Sequence, residues 1–205
     1  MFATALLAAS PARATTPHVV IRVYDMATGD AAARTAALRA AAQAIASAGV
    51  TVEWRDCSRG GAAHPCRTVR GARDLVVRIL PASVPGADTA AELGFAPIDP
   101  SGRATVIATV YYDAVRRVAS RTGLDPQALL GRAIAHEAGH LLLRAPGHGR
   151  SGLMRPLWTD AELAQNRPWD WAFSEEESRQ LRAATREPDA ADAAADVGVQ
   201  GAAGR

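Results

Sequence analysis

The sequence predicts an α+β fold, a mixed sheet with helices packed against it. Three observations carry this. Short runs rich in β-branched residues recur through the first half of the chain, set apart by Gly, Pro and Asp. A long alanine-rich helix falls between the first two runs. The later elements are helical in spacing. The chain has 205 residues, 48% hydrophobic and 21% charged, so one domain can bury an adequate core without a disulfide framework.

The elements follow in order. Met1 to Ala14 reads as a secretory signal or apolar leader, with an A-x-A cleavage site at Ala12-Arg13-Ala14 and no basic n-region. The expected location is therefore secreted or periplasmic. Val19 to Tyr24 is a strand. Asp30 N-caps a helix that Gly49 terminates, with Leu38, Ala41, Ala42 and Ile45 on one face. Val50, Val52 and Trp54 alternate with polar residues in a second strand. Leu75 to Leu80 is a third strand, and Pro81 to Asp88 a loop. Ala91 to Ala96 is a short edge strand. The turn Asp99-Pro100-Ser101-Gly102 leads into a strand over Ala104 to Val110. Tyr112 to Ser120 is helical, with Val115 and Val118 inward. Asp125-Pro126 starts a helix running through Leu143, and Pro146-Gly147 ends it. That helix is apolar nearly all round, which predicts burial on most sides. Ser174 and Glu177 form a capping box for a last helix reaching about Ala184. The domain thus spans 15–186, and 187–205 reads as a disordered tail with too little apolar surface to offset its ordering entropy.

Composition excludes several functions. Net charge is +2, from 23 basic and 21 acidic residues, which argues against a broad nucleic-acid surface. Every basic residue is Arg, so lysine-dependent Schiff-base and P-loop chemistry are absent. No segment approaches the roughly 20 apolar residues of a bilayer span. Cys57 and Cys66 bracket a loop, and in an exported chain such a pair predicts a disulfide. A Cys/His metal site with His64 is the alternative.

Three of the five histidines lie between positions 136 and 148. His136-Glu137-Ala138-Gly139-His140 is the HExxH pattern. Residues four apart share a helix face, so both imidazoles reach one ion, and nitrogen donors suit zinc. Glu137 is placed to meet a water at the metal rather than the metal itself. Zinc lowers the pKa of such a water to about 7, and a carboxylate takes its proton. A third ligand is required. The Ala145-Pro146-Gly147 turn favours His148. Glu162, Glu175 and Glu176 are the rivals.

These residues, followed by Ser151-Gly152-Leu153-Met154, resemble a metzincin-type zinc metallopeptidase. In the common pattern a glycine stands three residues after the second histidine, and the third histidine six after. Here Leu143 and Pro146 hold those places and His148 comes two residues later. Gly94-Phe95-Ala96-Pro97, Ala104-Thr105-Val106, Tyr111-Tyr112-Asp113 and Trp158 extend the resemblance to a small bacterial group of such proteins. It implies a mostly parallel twisted sheet with an antiparallel edge strand on a long active-site helix. It implies one catalytic Zn2+ on His136, His140 and His148, Glu137 as general base, and Met154 as an apolar floor under the imidazoles. An extended peptide would line the 91–96 edge, as substrate of a monomer with no nucleic-acid partner and no membrane insertion. Arg155, Trp158, Tyr111 and Tyr112 are candidates to stabilise an oxyanion. The alternatives are a zinc hydrolase of another amide and a non-catalytic zinc-binding domain.

Overall fold

The computed structural model describes residues 17–58, 66, 74–82, 92–98 and 106–186. The expected leader, the C-terminal tail, His64 and the 99–102 turn lie outside these residues. The described elements are strand β1 (His18–Asp25), helix α1 (Ala31–Ser47), strands β2 (Thr51–Asp56), β3 (Asp74–Leu80), β4 (Gly94–Phe95) and β5 (Ile107–Tyr111). Helices α2 (Tyr112–Thr122), α3 (Pro126–Leu143), α4 (Asp160–Gln165) and α5 (Glu175–Arg186) follow, with a 3-10 turn over Pro168–Trp171 before α5.

The strands form one sheet in the order β2-β1-β3-β5-β4. The first four neighbours run parallel, and β4 alone is antiparallel, at the edge beside β5. The architecture is the mixed, mostly parallel sheet expected. Strand period fixes which side chains meet the helices. Ile21 and Val23 of β1 pair in register with Leu75 and Val77 of β3, and Val77 and Ile79 of β3 with Ala108 and Val110 of β5, while Val19 lies on the same side of β1. All eight are buried and belong to one core with Leu38 and Ile45 of α1 and Leu130 and Ile134 of α3.

Helix α1 begins where Asp30 accepts a hydrogen bond from the Ala32 amide. Its small residues have a structural use. A Cβ on Gly131 of α3 would overlap the Ala37 carbonyl oxygen and the Ala40 methyl group, so α1 and α3 approach at backbone distance. Helix α3 is buried on most sides, as its composition predicts, from Leu129 to Leu142. It starts at the expected Asp125 cap and runs through Leu143 as expected, but the device that stops it differs. Arg144 takes a left-handed conformation (φ 51°) and its N–H bonds the His140 carbonyl, so the stop precedes Pro146-Gly147.

The opposite sheet face carries an ion pair that the sequence does not announce. Arg22, 1% exposed, bonds Asp74 through Nε at 3.0 Å and Nη2 at 2.6 Å. Cys57 and Cys66 form the expected disulfide, and the Cys66 carbonyl accepts from Arg22 Nη1 at 3.1 Å. The bridge therefore holds Cys66 against this face. The edge strand is shorter than expected, two residues rather than six. Helix α4 was not expected, although Thr159 and Glu162 cap it reciprocally. The Ser174–Glu177 box opens α5 through two bonds of 2.7 and 3.2 Å. Among the described residues no helix is long and apolar enough to cross a membrane.

Candidate active site

Helix α3 carries His136, Glu137 and His140, and the chain beyond it returns His148 to the same place. The ligating nitrogens of the three histidines lie within 4.8 Å of one another. Ring centroids are 4.9 Å apart for His136 and His140, 4.8 Å for His140 and His148, and 5.4 Å for His136 and His148.

Two backbone carbonyls set the rings. His136 Nδ1 lies 2.7 Å from the Leu153 carbonyl oxygen, and His140 Nδ1 lies 2.8 Å from that of Ala145. A carbonyl only accepts, so each Nδ1 carries the proton and donates it. Burial pushes His136 down to about 4, its neighbouring imidazoles adding to the effect against the Leu153 bond. Burial lowers His140 as well. Both rings are neutral at pH 7, with bare Nε2 lone pairs facing each other at 3.2 Å. Two lone pairs at that distance repel unless a cation stands between them. A tetrahedral zinc with bonds of about 2.0–2.1 Å separates its nitrogens by about 3.3 Å. The donor set therefore fits the metal, and the carbonyl-anchored Nδ1 atoms are the outer support that metal-binding histidines commonly have.

The segment after α3 is closed by its own bonds. The Gly149 amide donates to the Met154 carbonyl at 2.8 Å, and the Leu153 amide to the Ala172 carbonyl at 2.8 Å. Gly152 turns between them at φ 73°. Met154 is buried beneath α3, close enough that a Cβ on Gly139 would stand 2.7 Å from its Sδ.

Glu137 is 6% exposed, and burial, helped by the charge of Glu92, pushes its carboxyl up to about 8. It rests against the edge strand: a Cβ on Gly94 would lie 2.7 Å from Glu137 Cγ. The rival ligands are engaged elsewhere. Glu162 takes the Thr159 amide at 2.9 Å, its hydroxyl at 2.8 Å and Arg155 at 2.8 Å. These bonds, the Thr159 amide first, hold it down at about 2. Glu175 is exposed on α5, and Glu176 there pairs with Arg179.

The histidines and Glu137 line a cleft of about 720 Å³. Gly94 and Phe95 border it on the sheet side, and Arg155, Leu157 and Trp158 on the other. Trp158 stacks on Trp171 with centroids 4.7 Å apart. Arg155 lies 4.2 Å over Trp158, and Arg132 3.9 Å over Trp171. Of the oxyanion candidates, Arg155 and Trp158 face this cleft, whereas Tyr111 and Tyr112 are not among its walls. Sequence reasoning named Gly94 without its closeness to Glu137, and missed Arg132 and the two anchoring carbonyls. The i−4 spacing of Arg132 from His136 was the one available signal.

No protein-family model matches the chain, and no curated protein matches it. A solved structure does: a zinc-dependent peptidase from Methanocorpusculum labreanum, 17% identical, with a TM-score of 0.53, covering 78% of this chain and 99% of the other. The likeness shows a zinc-peptidase-like fold.

Proposed function

We propose that the chain is a zinc-dependent metallopeptidase of metzincin type, exported from the cell and acting as a monomer on extended peptides. The observation that carries the reading is the pair of neutral, carbonyl-anchored imidazoles whose lone pairs meet at 3.2 Å, beside a buried carboxyl in an open cleft. His136, His140 and His148 would hold one ion. Zinc held there would supply Lewis acidity for polarising a carbonyl group. Glu137 holds and moves the proton. Its carboxyl, raised by burial, has a proton affinity near neutrality, where it accepts a proton from attacking water and returns one to the leaving amine. Gly94 leaves the space that this carboxyl occupies. Met154 forms an apolar floor under α3. The β4 edge receives the peptide backbone, and the apolar Phe95 and Leu157 flank it. Export is supported by the Cys57–Cys66 bridge, since disulfides persist in oxidising compartments.

The test combines metal analysis with a peptide-library cleavage assay. One zinc per chain, activity abolished by chelator and restored by zinc, and a loss of orders of magnitude in Glu137→Ala with zinc retained are the expected results. Undiminished cleavage by Glu137→Ala would remove the mechanism. Protein that purifies without zinc and ignores chelator would remove the metal. A His148→Ala variant with unchanged zinc affinity would remove the third ligand.

A further inference from the structure

Three guanidinium groups line the cleft, those of Arg121, Arg132 and Arg155. Two are engaged by carboxylates. Arg121 bonds Asp160 at 2.9 and 3.2 Å, and Arg155 bonds Glu162 at 2.8 Å. Among the described residues Arg132 has no such partner. Its Nη1 is buried and without a hydrogen bond. Asp125, the carboxylate whose charge reaches it, already accepts from the Gln127 amide at 3.1 Å as the cap of α3. Burial draws Arg132 down to about 10, so it remains a cation at neutral pH. One face of its guanidinium is fixed by Trp171 at 3.9 Å. A guanidinium held flat on an indole keeps its donor edges in a set plane, which suits a planar carboxylate.

Arg132 precedes His136 by four residues. It therefore shares the histidine's helix face, about 6 Å along the axis from it. An extended peptide advances about 3.4 Å per residue, so in the cleft that Arg132 shares with the histidines a group one or two residues from a carbonyl held there comes within its reach. From this placement we infer that Arg132 is a substrate-recognition residue, whose guanidinium receives a peptide carboxylate close to the reacting bond. The inference rests on the peptidase reading and narrows it to acidic substrates. The carboxylate has two sources, an Asp or Glu side chain near the scissile bond or the free C-terminus of a short peptide.

Binding separates this from turnover. Zinc-loaded Glu137→Gln protein keeps peptides intact, and calorimetry gives their affinities. Three matched peptides are compared: one with an internal Glu and an amidated end, one with Gln there and an amidated end, and one with Gln and a free C-terminus. A hydrogen-bonded charge contact predicts that an acidic peptide binds about 10- to 100-fold more tightly than the neutral one. Preference for the first assigns the side chain, and preference for the third assigns the terminus. Arg132→Met in the same background should bring the ratio to about one, while Arg132→Lys keeps part of it. Zinc content and melting temperature report that each variant is folded. Equal affinity for all three peptides, no binding of any, or a preference that survives in Arg132→Met overturns the inference. If wild-type protein leaves a preferentially bound peptide uncut, the peptidase reading fails while the carboxylate site stands.

Discussion

Gly139 offers a test in which the sign of the effect decides. In an ordinary helix interior, alanine in place of glycine is stabilising by about 1 kcal/mol. Here the new methyl group would stand 2.7 Å from Met154 Sδ and 2.9 Å from Phe173 Cε1, where ordinary contact begins at 3.4 Å. Overpacking of this kind costs about 1–3 kcal/mol. The net expectation for Gly139→Ala is a loss of about 1 kcal/mol, read as a fall of about 2–4 °C in melting temperature for a domain of this size. The second effect is on the metal. Met154 adjoins Leu153, whose carbonyl anchors His136, and disturbing such a support costs about 10- to 100-fold in affinity. Thermal unfolding of metal-free protein and competitive zinc titration measure the two effects separately. Adding Met154→Ala should relieve the overlap, so the double variant should recover part of the zinc affinity lost in the single. A Gly139→Ala protein that melts at or above the wild-type temperature with unchanged zinc affinity would refute the packing argument and the link from Met154 to His136.

Three further outcomes are expected. Gly94→Ala places a methyl group 2.7 Å from Glu137 Cγ and 2.8 Å from the Thr109 carbonyl oxygen; kcat should fall about 100-fold from a displacement near 1 Å, with zinc content unchanged by metal analysis. In metal-free protein His136 and Glu137 act in opposite directions on stability. His136, lowered from 6.5 to about 4, contributes fully above pH 6.5 and loses that contribution as pH falls toward 4, because only the unfolded chain binds the proton. Glu137, raised from 4.5 to about 8, contributes fully below pH 4.5 and loses that contribution as pH rises through 8. Urea unfolding in chelator should show stability declining from pH 6.5 to 8, with a slope approaching about 1.4 kcal/mol per unit, and Glu137→Gln should flatten it. Asp74→Ala removes the carboxylate that the buried Arg22 bonds through Nε and Nη2 and should cost about 3–5 kcal/mol, seen as a lower urea midpoint; a shift under about 1 kcal/mol would show that the pair does not hold that sheet face.

What the sequence made legible was local. Asp125-Pro126 marks the start of α3, the His136–His140 spacing places two rings on one face, and Cys57 and Cys66 sit close enough to suggest their bridge. Each signal lies within a few residues of what it specifies. The last residue of α3, Leu143, was legible, but its stop was credited to Pro146-Gly147 because a non-glycine residue, Arg144, adopts the left-handed conformation, which residue type does not announce. The edge strand was overdrawn because its length depends on pairing with β5. Helix α4 was missed, although Thr159 and Glu162 spell a capping box, because six residues are too few for a period to emerge. Arg22–Asp74 joins positions 52 residues apart, and no local pattern encodes that. The same holds for the carbonyls of Ala145 and Leu153, since any residue type supplies a carbonyl.

Those two carbonyls have a consequence for how the protein ages. The rings that would hold the ion are aimed by chain between 145 and 153, a stretch without helix or strand, and that stretch carries His148 itself. The segment is closed by its own bonds, and metal binding would be coupled to its placement. Loss of an ion held there would loosen the chain between Arg144 and Arg150, residues at which trypsin-like enzymes cut. Wherever such enzymes are present, metal supply would then govern the molecule's lifetime as well as its output, with demetallated copies cleared first.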